Sequence, residues 1–98
     1  MTHTIDREGT RLVLRVTGRL DVQTTPELED ALKGQLDGIT DLVVDLASVD
    51  YVSSMGLRLL LALQKRMFKQ GSMRVTNVGE SVMELFGATG FDEILTIE

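Results

Sequence analysis

The run Asp41-Leu42-Val43-Val44-Asp45-Leu46 constrains the fold more than any other stretch of this chain. It is compact, apolar and β-branched, too short for a buried helix, and it lies between two segments with helical periodicity. A strand of that kind belongs in the middle of a sheet. On its N-terminal side Leu28, Ala31, Leu32 and Leu36 recur at i, i+3, i+4 and i+8, the stripe of a helix that packs by one face. Thr24-Thr25-Pro26-Glu27 supplies the start of that helix. Thr24 as N-cap places Glu27 at N3, a capping box, and Pro26 is tolerated in the first turn. Gly34 and Gly38 weaken and then end it. On the C-terminal side a second helix is predicted from about Ser54 to Gln70. Gly56, Leu60, Leu63 and Met67 share one face of it, widened by Leu57, Leu61 and Phe68. Gly71 closes it as the C′ residue, after the basic Lys65, Arg66 and Lys69.

The flanks extend this alternation. Thr2 to Asp6 is short and polar, an edge strand, and Gly9-Thr10 turns it into Arg11-Leu12-Val13-Leu14-Arg15-Val16, a strand by alternation and β-branching. Gly18 ends that hairpin. Beyond the second helix come a strand at Met73 to Thr76 and a helix at roughly Glu80 to Gly87 that carries Val82, Leu85 and Phe86. A last short strand is expected at Ile94 to Ile97. The predicted order is β-β-α-β-α-β-α-β: one α/β domain over residues 1–98, with a mixed, mostly parallel β-sheet, packed α-helices and right-handed crossovers. Ninety-eight residues is the size of one such domain.

Composition removes most catalytic chemistry. Cysteine is absent, so disulfides, thiolate metal sites and thiol nucleophiles are excluded together. The single histidine, His3, stands near the N-terminus, where a Ser-His-Asp arrangement finds no base. No Gly-x-x-x-x-Gly-Lys-Ser/Thr or Gly-x-Gly-x-x-Gly loop occurs. A pair of carboxylates is the one catalytic device left, and most Asp and Glu side chains are solvated surface charges. The expectation is a protein that is not an enzyme and holds no metal or cofactor. A net charge of −5 argues against nucleic acid, whose ligands carry a basic stripe, and against anionic membranes. Leu57 to Leu63, interrupted by Arg58, is too short to span a bilayer, and no apolar leader precedes Thr10. The expected setting is the cytoplasm, without direct membrane insertion. The basic cluster Lys65-Arg66-Met67-Phe68-Lys69 reads as the solvated last turn of a helix that complements its dipole.

One segment stands out: Asp50-Tyr51-Val52-Ser53-Ser54-Met55-Gly56-Leu57. It is expected to be a loop after the central strand, at the end of the sheet where open α/β folds meet ligands and partners. The plain reading is structural, with a serine as N-cap and Gly56 allowing close packing. The functional reading is that a phosphoserine here meets free N–H groups and the positive end of a helix dipole. Arg58, four residues after Ser54, could reach back to it.

Several segments resemble the STAS family, best known as bacterial anti-sigma-factor antagonists. They are Leu14-Arg15-Val16-Thr17-Gly18-Arg19-Leu20-Asp21, Leu42-Val43-Val44-Asp45-Leu46, Tyr51-Val52-Ser53-Ser54-Met55-Gly56-Leu57-Arg58 and Leu85-Phe86-Gly87-Ala88-Thr89-Gly90-Phe91, in the family's order and spacing. The resemblance spans the chain and implies a STAS-like sheet with helices and a partner-switching role. An unphosphorylated antagonist of this kind binds an anti-sigma factor that is a serine kinase, frees the sigma factor, and is released when the kinase phosphorylates a loop serine. A phosphatase is a further partner in such a cycle. The family loop usually reads Asp-Ser-Ser/Thr-Gly with the acceptor just before the Gly. Here that position is Met55 and the Asp position is Ser53, so Ser54 is the first candidate acceptor and Ser53 the second. The docking surface implied is Asp50, Ser53, Ser54, Met55, Gly56 and Arg58, with Arg19 and Asp21 beside it. Stand-alone STAS proteins also serve as accessory subunits of membrane transport machines, lipid and ABC-type transporters among them, where no switch is needed and an apolar Met55 is a packing contact. A third reading, nucleotide binding or slow hydrolysis, has no phosphate loop behind it.

Overall fold

A computed structural model describes residues 2–98 of the chain. β1 (Thr2–Glu8) and β2 (Arg11–Leu20) form an antiparallel hairpin, joined at Gly9-Thr10. α1 (Thr25–Leu32) then leads into β3 (Asp41–Val52), and α2 (Ser54–Gln70) into β4 (Ser72–Thr76). α3 (Glu80–Thr89) and the four-residue α4 (Phe91–Ile94) complete the chain. The sheet runs in the order β1-β2-β3-β4, with β2-β3 and β3-β4 parallel. The mixed, mostly parallel sheet expected from the alternating pattern is therefore present.

The sheet is buried on one face. Leu12, Leu14, Val16 and Leu20 of β2 and Leu42, Val44 and Leu46 of β3 point to the helices, where Leu28, Leu60, Leu63, Met67, Val82 and Phe86 meet them. The other face carries charge. Arg11 pairs with Asp41 at 2.8 Å, Arg74 reaches Asp41 at 3.4 Å, and Arg15 lies between Asp6 at 2.8 Å and Asp45 at 3.7 Å. Such cross-strand pairs contribute roughly 0.2–1 kcal/mol each. Most of the framework thus rests on the apolar face.

β3 is twice the length of the apolar run that announces it, since the strand continues past Leu46 through two bulges. Opposite β2 its register slips between Arg15 and Thr17 and again between Gly18 and Arg19, leaving an extra residue in β3 each time. The buried residues change their spacing accordingly, from Leu42, Val44 and Leu46 at two to Val49 and Val52 at three. Asp50, Tyr51 and Val52 are therefore strand and not loop. Gly18 likewise sits inside β2 and does not end it.

Four other expectations are corrected. The capping box does not form: Thr24 has helical backbone angles and no side-chain capping bond, because its hydroxyl is engaged by the end of β2. α1 stops at Leu32, with Gly34 at positive φ, although Leu36 is still buried in the turn that follows. On α2, Phe68 is 84% exposed and Leu61 only partly covered, while Leu59 is buried in their stead. No strand forms at Ile94 to Ile97. Ile94 ends α4, and Ile97 makes an isolated parallel bridge to Val75, with Val75 N donating to Thr96 O and Glu98 N to Val75 O. Ile97 thus edges β4 through a single bridge and forms no strand.

Candidate functional site

β2 and β3 run parallel, so their carboxyl ends lie side by side. Arg19 is opposite Tyr51 and Leu20 opposite Val52, and Ser53 N donates to Leu20 O at 2.8 Å. α2 begins one residue later. The site is a strand-to-helix junction with a single residue between the elements. The second bulge places Asp50 as the unpaired extra residue beside Gly18 and Arg19, with its side chain exposed.

Ser53 is the N-cap of α2. Its backbone is extended and its Oγ accepts from Gly56 N at 3.3 Å, which meets one of the open N–H groups of the first turn. Ser54, the first helical residue, is exposed and its hydroxyl has no hydrogen-bond partner among the described residues. The two serines are neighbours in sequence and differ in employment. Gly56 is buried against the sheet: a Cβ there would lie 2.7 Å from Leu20 O and 2.9 Å from Val52 Cγ1. The close packing expected of this glycine is what the structure has.

The facing turn is organised by Asp21. Its Oδ1 accepts from Gln23 N at 3.0 Å and Thr24 N at 3.1 Å, and its carbonyl accepts from Thr25 N at 2.9 Å. Thr24 Oγ1 donates to Arg19 O at 2.7 Å and accepts from Asp21 N at 2.9 Å. Asp21, not Thr24, thus holds the entry to α1. Arg19 stacks its guanidinium 4.3 Å over the Tyr51 ring and points Nε at Asp21 Oδ2, 3.4 Å away. The N–H of Thr24 foremost holds the Asp21 carboxyl below its ordinary value of 3.8; burial, second in size, opposes it, and the N–H of Gln23, the Thr24 hydroxyl and Arg19 add to the lowering.

A carboxyl so depressed stabilises the fold fully above its ordinary value, and that contribution is lost as the pH falls through the lower folded value. Asp21→Asn keeps the shape and loses the charge. We expect its stability deficit, read from urea midpoints, to be larger at pH 7 than at pH 3. An equal deficit at both pH values would show that the charge plays no part.

Arg19, Asp21, Asp50, Ser53, Ser54 and Gly56 are brought together at this end of the sheet. Met55 and Arg58 turn elsewhere. They line a groove of about 450 Å³ between α1 and α2, with Leu32, Leu36, Leu59 and Leu63 as its apolar floor. Arg58 makes no hydrogen bond to Ser54. The Arg19–Tyr51 stack was not anticipated, since only the double bulge in β3 brings the two into register. Among the described residues no group of three His, Asp or Glu side chains could hold a metal ion, and no helix is long and apolar enough to cross a membrane.

A half-open mixed sheet with a helix docked onto the ends of two parallel strands through a glycine defines a small α/β domain of the SpoIIAA type. The unphosphorylated anti-sigma factor antagonist SpoIIAA superposes with a TM-score of 0.84 over 99% of this chain and 88% of its own, at 15% identity, a likeness of fold. An anti-sigma factor antagonist from Mycobacterium paratuberculosis reaches a TM-score of 0.87 at 28% identity, covering 98% of this chain and 83% of that one. The chain belongs to the STAS family: the family described as "Mlab, STAS domain" matches residues 3–96. The anti-sigma-B factor antagonist of Staphylococcus epidermidis is 34% identical over 86 residues, 86% of this chain and 80% of the relative. Its counterpart in Staphylococcus aureus is 33% identical over a span of the same size.

Proposed function

We propose that this protein is an anti-sigma-factor antagonist, a regulatory binding protein that docks an anti-sigma factor with serine-kinase activity and is switched off by phosphorylation of Ser54. The observation that carries the reading is the position of that hydroxyl: exposed, unbonded, and on the first residue of α2 between Asp50 and the groove. Ser53 is the second choice, because its Oγ already caps the helix and modification would cost that bond. The names of the staphylococcal relatives and the breadth of the match support the same role. The docking surface is Arg19, Asp21, Asp50, Ser53 and Ser54, with Met55 and Arg58 forming its far side and Gly56 buried beneath it, seating the helix start.

A phosphate on Ser54 meets the open N–H groups of α2 and the positive end of its dipole, so the fold tolerates it. It also adds about two negative charges beside Asp21 and Asp50. Like charges set against an acidic or desolvated partner surface cost several kcal/mol. About 1.4 kcal/mol is already tenfold in affinity, so release needs only part of that. A phosphatase would restore binding.

Capture of partners from the source cell tests this. The wild type is expected to retain an ATP-binding kinase, Ser54→Asp to lose it, and mass spectrometry after incubation with that kinase and ATP to place the phosphate on Ser54. If both Ser54→Asp and Ser53→Asp keep every partner, or only unmodified peptides are recovered, the switch is wrong. Met55 supports a second reading. It fills the family's acceptor position with a side chain lodged in the α1–α2 groove, as a permanent contact to a transport complex would require. Recovery of transporter subunits by wild type and both variants alike would decide for it.

A further inference from the structure

The far end of α2 carries a second surface that the switch does not use. Leu61, Gln64, Lys65, Phe68 and Lys69 share one outward face of the helix, and Ile94 at the end of α4 closes a shallow recess of about 450 Å³ against them. Phe68 is 84% exposed and Ile94 47%, two large apolar side chains left open on one recess. Lys65 and Lys69 flank the ring at i−3 and i+1, and neither takes part in an ion pair among the described residues. Gln64, on the same face, keeps its Oε1 without a donor. Phe68 lies 14 residues along the helix from Ser54, about 21 Å at 1.5 Å per residue.

We propose that this face is a separate docking site for an acidic protein segment bearing one large apolar side chain. The apolar side chain enters the recess between Leu61, Phe68 and Ile94, and flanking carboxylates pair with Lys65 and Lys69. Charge decides among the possible occupants. Two unpaired lysines on a chain of net charge −5 are a local attraction within an overall repulsion of anions. At a membrane two lysines contribute only about thirty-fold in binding, and the remaining negative charge opposes it. A carboxylate-bearing peptide needs contact with the two lysines alone. A second copy of the chain would bring its own net charge of −5 against that of the first, a general repulsion. The remaining candidate is an acidic partner segment, laid along an exposed helix face.

The experiment uses the whole chain, isotopically labelled, and a synthetic twelve-residue peptide of Glu and Asp with Leu and Phe four apart. A counterpart with Lys for every acidic residue, and vesicles of phosphatidylglycerol, are tested alongside. The acidic peptide is expected to shift the amide signals of Leu61 to Lys69 and Ile94, and the basic counterpart to leave them in place. Phe68→Ala and the double variant Lys65→Ala/Lys69→Ala should each weaken binding at least tenfold. All three side chains are exposed, so the variants keep the wild-type circular dichroism, which checks their fold. Ser54→Asp should bind the peptide as the wild type does, which separates this site from the switch. Absence of binding by the acidic peptide, shifts confined to the Ser53–Arg58 end, binding to vesicles alone, or a dimer that Phe68→Ala dissociates would each overturn the proposal.

Discussion

Gly71→Ala is expected to lower the free energy of unfolding by about 3 kcal/mol, the upper part of the range for overpacking a closed site. α2 ends where Gly71 N donates to Met67 O at 2.6 Å, and the next residue, Ser72, donates its N–H to Thr40 O at 2.9 Å. The chain therefore passes directly against the backbone just before β3. A Cβ at position 71 would fall on Thr40 O and lie 2.6 Å from its carbonyl carbon and 2.7 Å from its Cα. None of these atoms belongs to a side chain that can rotate away. The backbone at Gly71 is extended, so the requirement for glycine is one of space. Gly79→Ala is the control, since nothing lies within 4 Å of a Cβ there. Urea unfolding should show a lower midpoint at unchanged slope for Gly71→Ala and little change for Gly79→Ala. Equal midpoints would mean that Thr40 and its neighbours yield without cost.

The second large effect is expected at Gly56, where the sign of the change is itself informative. Helix propensity alone predicts that alanine stabilises an interior helical position by about 1 kcal/mol over glycine. The packing predicts the reverse, a loss of about 2 kcal/mol, because the new methyl meets Leu20 O at 2.7 Å and Leu20 Cγ and Val52 Cγ1 at 2.9 Å. Relief requires the start of α2 to lift from the sheet, and Ser53 and Ser54 move with it. Under the function proposed above, Gly56→Ala should lose partner capture while still folded at low temperature. Denaturation and capture measured on the same preparation separate the two consequences. A stabilised protein would show that the contact at Leu20 is soft.

The framework was legible because two periods recur cleanly. The stripe from Gly56 to Met67 and the alternation of Leu12, Leu14 and Val16 each name a buried face, and both are buried. What escaped lies where a period breaks for a tertiary reason. After Leu46 the apolar positions of β3 fall three apart at Val49 and Val52, which reads as a strand ending although it marks two bulges. Phe68 fits the apolar stripe of α2 by size and yet stands in solvent. At Thr24 the local capping signal was strong, and Asp21 displaced it from three residues' distance by engaging two N–H groups of the turn at once. Ser53 and Ser54 could be named from sequence, while their division into one capping and one unbonded hydroxyl needed the geometry.

The contact between Gly56 and Leu20 also limits what kind of message the site can send. A helix start seated closely on the backbone of the neighbouring strand need not move for a modification at Ser54 to be felt. A charge added at Ser54 would be read by the partner directly, as a change in the surface potential of a rigid platform. The response would then be as fast as dissociation allows, and would weaken with added salt as screened charges do.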